Sequence, residues 1–314
     1  MHIPKINTNH LLIDTDFSKD EALSILNFAA ELKSALRKGK KHEFLKGKTL
    51  AMIFEKNSTR TRVSFETGMY QLGGKGIYLN SDDIQISRGE SIPDTAQVLS
   101  RYVNGIMIRT DKQSKVEELA AKSAVPVING LTDIYHPCQA YADMFTIYER
   151  EKTFSGVKLA YIGDGNNMAN SLLLASALLG IDIAVASPKG YLPDAKIAAK
   201  AKELAAASGA NVLVTSDIKK AVQGAAYLYT DVWTSMGQEK EAAKRKKAFT
   251  GYAITKAVLK QTGVASCKVM HCLPAHRGME IAADVMDSNA AIVFDQAENR
   301  LHVQKAILCC LMTK

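Results

Sequence analysis

The chain has 314 residues and a formal net charge of +8, with 47% hydrophobic and 23% charged residues. That length accommodates two domains, and that composition excludes a disordered, collagen-like or disulfide-dense protein. The excess positive charge suits anionic small molecules or weak attraction to nucleic acid. The basic residues are scattered, however, and none are interleaved with aromatics as a base-stacking platform requires.

The first residues, Met1-His2-Ile3-Pro4-Lys5, lack the apolar core of a signal peptide. No run approaches the ~20 apolar residues of a membrane span. The five cysteines, Cys138, Cys267, Cys272, Cys309 and Cys310, form no CxxC pair and are odd in number. A disulfide framework or zinc site is therefore not expected, and a reducing, cytoplasmic setting is.

A short arm leads into a helix expected over 20–36, with an apolar face at helical spacing. Strands are expected over 49–54, 76–79, 105–108 and 125–128, with helices over 60–72, 93–102 and 114–122 between them. One helix is expected over 136–150, with Pro137 in its first turn. A second series follows, with strands over 157–162, 181–186, 211–214, 226–229, 268–271 and 291–294. Its helices include 167–179, 194–208 and 255–260, and a last helical pattern runs over 297–311. Strand–helix alternation of this kind predicts α/β architecture: two doubly wound domains, each a parallel sheet flanked by helices. The expected boundaries are a first domain over 1–135, an interdomain helix over 136–150 and a second domain over 151–296. The densest basic run, Lys244, Arg245, Lys246 and Lys247, reads as a solvated helix face.

Ligands in open α/β sheets bind beyond the carboxyl ends of strands, and polar clusters recur there. After the first strand come Asn57-Ser58-Thr59-Arg60-Thr61-Arg62, where a helix opens. Free N–H groups, the helix dipole and two guanidiniums would make an oxyanion site there. Arg109 closes the third strand and can clamp an anion or a polarised carbonyl. His136-Pro137-Cys138-Gln139 opens a helix, where the dipole favours an uncharged imidazole and Gln139 lies one turn on. Gly163-Asp164-Gly165-Asn166-Asn167 fails as a dinucleotide fingerprint, because Met168 stands where the third glycine belongs. It reads instead as a loop presenting amides to a polar substrate. Asp231, in Asp231-Val232-Trp233-Thr234-Ser235-Met236-Gly237, offers a carboxylate for an ammonium group. In His271-Cys272-Leu273-Pro274, a Cys–His nucleophile pair is disfavoured, because neighbours on a strand point to opposite faces. The Leu273-Pro274 backbone is better suited to exposing a carbonyl oxygen. The domain cleft is the expected meeting point of these clusters.

Five motifs, in order, resemble the aspartate/ornithine carbamoyltransferase family over nearly the whole chain. They are STRTR from Ser58 to Arg62, the segment around Gln85, HPCQ from His136 to Gln139, DxxxSMG from Asp231 to Gly237, and HCLP from His271 to Pro274. The last two point to the ornithine branch. The resemblance implies a carbamoyl-phosphate domain, then an ornithine domain, with the helix over 297–314 returning to the first. It implies transfer from carbamoyl phosphate to L-ornithine, giving L-citrulline and phosphate, in a homotrimer or multiple of trimers.

On that resemblance Ser58, Thr59, Arg60 and Thr61 hold phosphate, while Arg109, His136 and Gln139 polarise the carbonyl. Gln85, Pro137, Cys138, Cys272, Leu273 and Arg300 complete the carbamoyl-phosphate site. Asn167 (preferred to Asn166), Asp231, Ser235 and Met236 hold ornithine, and the loop of Ser235, Met236 and Gly237 closes over it. The catalytic set is Arg60, Arg109, His136, Gln139, Asp231 and Cys272. No cofactor, metal, nucleic acid or membrane is implied. Competing readings are transfer to aspartate, putrescine or an acylated ornithine, a nucleotide-binding oxidoreductase, and a non-catalytic binding protein.

Overall fold

The computed structural model describes residues 1–235 and 237–313. Two compact units divide the chain, Met1–Phe145 with Glu298–Lys314, and Thr146–Ala297.

The first unit opens with α1 (Lys19–Arg37), started by a capping box in which Ser18 and Glu21 satisfy each other's backbone N–H. Then come β1 (Thr49–Phe54), α2 (Thr59–Gln71), β2 (Lys75–Asn80), α3 (Ile92–Leu99), β3 (Gly105–Arg109), α4 (Gln113–Lys122) and β4 (Val127–Leu131). The four strands lie parallel in the order β2-β1-β3-β4. Five consecutive residues of β1, Leu50 to Phe54, are buried, as a strand covered on both faces requires. Around Ala51, Ile53, Ile106, Ile108, Val116 and Leu119 forms an apolar core, each large aliphatic contributing roughly 1.5–3 kcal/mol. The fourth strand begins at Val127 rather than at residue 125. Pro126 has no N–H to give the ladder and contributes only its carbonyl, to Ile106.

Helix α5 (Pro137–Glu151) carries the chain from the first unit into the second. The second unit contains β5 (Lys158–Ile162), α6 (Asn167–Leu179), β6 (Asp182–Ala186), α7 (Ala195–Ser208), β7 (Val212–Thr215), α8 (Ile218–Val222), β8 (Tyr227–Thr230), α9 (Ala242–Ala248), α10 (Lys256–Gln261), β9 (Lys268–His271) and α11 (Ala283–Met286). Its five parallel strands run β7-β6-β5-β8-β9. The final helix is α12 (Val293–Met312).

Two expectations fail in this unit. Residues 291–294 form no strand: Ala291 makes one isolated bridge to Val269, and Val293 already opens α12. A short apolar run reads alike as a buried strand or as the start of a buried helix. Arg245 is not part of a solvated face either. It is buried, ion-paired with Asp164, and its Nε donates to the Trp233 carbonyl at 2.6 Å. Among the described residues, no helix is long and apolar enough to cross a membrane.

Each sheet has one place where the chain reverses its direction of build, between β1 and β3 and between β5 and β8. At such a switch point neighbouring strand ends send their loops apart and leave a crevice.

Candidate active site

The first crevice gathers positive charge. Ser58 caps α2, its Oγ accepting from the Thr61 amide at 3.3 Å, so one hydroxyl of the motif organises the helix start. Thr61 is fully buried, and its Oγ1 accepts from Arg300 Nη2 at 3.0 Å. Arg300 Nη1 donates to Gln139 Oε1 at 3.1 Å, and Gln139 Nε2 donates to Asp143 Oδ1 at 2.8 Å. Arg300 is therefore a buried brace between two sequence-distant segments, not a cation on a helix surface.

The two arginines of the motif part company. Arg60 is half-buried, and its charge acts on His136. Arg62 is exposed, pairs with Glu66 at 3.2 Å and lies 3.7 Å over the Tyr78 ring. Only one of them is left to raise the positive charge of the crevice.

His136 is buried where α5 begins. Burial, and then the charges of Arg300, Arg109 and Arg60, hold its pKa well below the ordinary histidine value. The expected uncharged imidazole follows, with burial and three guanidiniums as its causes. Arg109 sits buried at the end of β3, with its carbonyl accepting from the Glu55 amide at 2.9 Å. Cys138 is buried and its thiol is pushed up to about 12 by that burial; its Sγ donates to the Asn129 carbonyl at 3.4 Å. It is a packing residue in thiol form.

The second crevice gathers a carboxylate instead. Asp231 follows β8, and its Oδ1 accepts from Cys272 Sγ at 3.0 Å and from the Val232 amide at 2.8 Å. Its Oδ2 accepts from Asn166 Nδ2 at 2.8 Å. The other end of that amide, Asn166 Oδ1, caps α6. Both ends of Asn166 are thus engaged within the protein. Asn167 is the first residue of α6.

Two amides of the loop after β5 turn inward instead of facing a substrate. The Gly163 N–H donates to Ala186 and the Gly165 N–H to Tyr191. Gly165 is glycine because the backbone passes over it: a Cβ there would lie 2.2 Å from Pro193 N.

After β9, Leu273 has φ +60° and the Leu273–Pro274 peptide is cis. Asp231, His271 and Cys272 offer potential metal-ligand atoms all within 4.8 Å of one another. Each of those three side chains already bonds inside the protein: Cys272 to Asp231, and His271 Nδ1 to the Leu273 amide.

Several expected residues stand apart. Gln85 is exposed in a short 3-10 segment (Gln85–Arg88), and among the described residues its side chain makes no hydrogen bond. Thr59 is exposed at the first position of α2. Ser235 makes a turn with Gln238 rather than joining Asp231. Met236 lies outside the described residues. Sequence reasoning missed Asp143, Glu280 and Arg245. For Asp143 a signal existed, since Gln139 and Asp143 stand at the i, i+4 spacing that pairs side chains on a helix.

Comparison with known proteins agrees with both halves. Residues 9–149 match the family described as aspartate/ornithine carbamoyltransferase, carbamoyl-P binding domain. Residues 155–311 match its Asp/Orn binding domain. An ornithine carbamoyltransferase of Oceanobacillus iheyensis is 55% identical over 95% of this chain and 92% of its own length. The structure of the Pyrococcus furiosus ornithine carbamoyltransferase is 50% identical, covers 99% of each chain and superposes with a TM-score of 0.94. The anabolic enzyme of Campylobacter jejuni is 43% identical over 97% of this chain and 99% of its own, with a TM-score of 0.91. With two crevices of opposite charge and both family domains matched in order, the chain belongs to the aspartate/ornithine carbamoyltransferases, enzymes that transfer a carbamoyl group.

Proposed function

We propose that the protein transfers the carbamoyl group of carbamoyl phosphate to the δ-amine of L-ornithine, giving L-citrulline and phosphate. The observation that carries this reading is the gathering of Arg60, Arg109 and Arg300 around an uncharged His136 at a strand-end switch point. An anion with a polarisable carbonyl matches that set. Arg60 and the open end of α2 receive the phosphate, with Ser58 and Thr61 shaping that end. Arg109 and His136 donate to the carbamoyl oxygen as it becomes an oxyanion, each donor lowering the barrier by roughly 3–4 kcal/mol. Gln139 has one amide N–H engaged by Asp143 and a second to offer.

Ornithine is favoured among the amines by the carboxylate of Asp231 and by the names of the relatives above. Asp231 and Cys272 orient the δ-amine, which must attack uncharged although such amines have a pKa near ~10.4 in water. The nitrogen–carbon bond forms, the carbon–oxygen bond to phosphate breaks, and the nitrogen sheds a proton. We take Asn167, the first residue of α6 beyond β5, as the asparagine that reaches ornithine. The Leu273 carbonyl accepts from the carbamoyl amino group. The same kinship leads us to a homotrimeric assembly, or a multiple of it, in the cytoplasm.

Purified protein, treated with chelator, should form citrulline from the two substrates. A panel of ornithine, acetylornithine, putrescine and aspartate tests the amine, with ornithine expected to exceed the others by at least ~10²-fold. Absence of citrulline, or faster transfer to another amine, overturns the reading. Trimeric mass by light scattering tests the assembly.

A further inference from the structure

We propose that Glu280 is a positioning residue that acts through His271 to aim the Leu273 carbonyl oxygen at the substrate. The inference deepens the reading above and rests on it for the identity of the group aimed at, the carbamoyl amino group.

Leu273 has φ +60°, a left-handed conformation that is unfavourable for a branched residue and persists only where neighbours impose it. One neighbour is visible. The Leu273 amide donates to His271 Nδ1 at 2.8 Å. A ring nitrogen that accepts carries no proton, so the ring proton sits on Nε2. That Nε2 lies 3.2 Å from Glu280 Oε1. Glu280 thereby fixes one tautomer, and that tautomer alone can hold the Leu273 amide. The other tautomer, or an imidazolium, would set an Nδ1–H against the Leu273 N–H.

The chain of contacts is closed to water. Glu280 and the His271 side chain have no exposed surface. The His271 backbone amide is anchored by Gln296 Oε1 at 2.9 Å. Glu280 also receives the His276 amide, so the carboxylate grips both ends of the loop that begins at Cys272. Burial alone would raise its pKa; the bonds from His271 and His276 instead hold it below the ordinary carboxylate range. A buried carboxylate, a histidine and a strained backbone turn in series are how proteins orient groups that must not wander.

The test separates aiming from mere support. Glu280→Leu should lower kcat by roughly 10–100-fold, with KM for ornithine and the dissociation constant of inorganic phosphate unchanged. Glu280→Gln keeps an acceptor for the ring N–H and should recover activity to within about 5-fold of wild type, by the same logic. His271→Asn places an amide oxygen where Nδ1 stood and removes the link to Glu280. In that background Glu280→Leu should cost little further, whereas a purely structural carboxylate would cost the same factor in both backgrounds. Histidine ¹⁵N NMR of the full chain should show His271 protonated on Nε2 in wild type and losing that preference in Glu280→Leu, and this readout needs no activity. If Glu280→Leu does not fold, Glu280→Gln with NMR carries the test. Additive losses, an unchanged kcat in folded Glu280→Leu, or a wild-type His271 protonated on Nδ1 would overturn the proposal. Failure of wild type to make citrulline would instead overturn the function on which it builds.

Discussion

The two units repeat one plan and fill it with opposite charge. Both are parallel sheets whose build reverses once, between β1 and β3 in one and between β5 and β8 in the other. At the first reversal stand Arg60, Arg109 and His136, braced by Arg300. At the second stands Asp231, held by Asn166, Cys272 and a backbone amide. The lesson is that sheet topology fixes where a site can form, and the residues at the strand ends decide what it can hold. A cationic crevice suits a phosphorylated donor; a carboxylate crevice suits an amine.

The sharpest way to break the comparison is to remove one charge from each crevice. Arg60→Ala and Asp231→Asn should each lower citrulline formation by ~10³-fold. Calorimetric titration should show carbamoyl phosphate binding lost in Arg60→Ala and kept in Asp231→Asn. Equal donor affinity in the two variants would deny the division of labour.

Next in size is a change in stability. Arg245 and Asp164 form a buried pair in the second unit. Arg245→Met leaves the carboxylate without its partner, and chemical denaturation should report a loss of about 3–5 kcal/mol. The cationic crevice should be untouched, so carbamoyl phosphate should still bind the folded variant.

The crevices should also differ in their response to acid. His136 has a folded pKa well below its ordinary value near 6.5. Above that ordinary value folded and unfolded chains bind the same protons at this residue, and it has no effect. As pH falls below about 6.5 the unfolded chain takes up the proton first, so stability declines by up to ~1.4 kcal/mol per pH unit. Melting followed at pH 7.5 and 5.5 should show that decline shrink in His136→Gln. The smallest effect belongs to Arg62, whose exposed contacts with Glu66 and Tyr78 contribute under about 1 kcal/mol. Arg62→Ala should leave both melting temperature and donor affinity close to wild type, beside the collapse in Arg60→Ala.

Much of this was legible in the order of the residues. Strand β1 falls where a continuous apolar run predicts it, because a strand covered on both faces leaves little room for polar residues. The start of α2 is written in Ser58, whose hydroxyl is a local cap needing only its own next turn. The start of β4 and the start of α12 differ from expectation for separate reasons. Pro126 has no N–H to give the ladder, so the strand begins at Val127. The short apolar stretch at 291–294 satisfies a strand and a helix start alike, and only the packing partner chooses.

The sequence by itself determined the alternation of elements, the placing of polar clusters at strand ends and the kinship they carry. Those are properties of local spacing and chemistry, readable without knowing what folds against what. Only the tertiary structure decided which of two neighbouring arginines faces a crevice, and that a lysine-rich run hides a buried Arg245. It alone decided that Arg300 reaches across 239 residues of chain to hold Thr61. A charged side chain goes wherever its compensating partner lies, and a partner distant in sequence leaves no mark on the residues beside it.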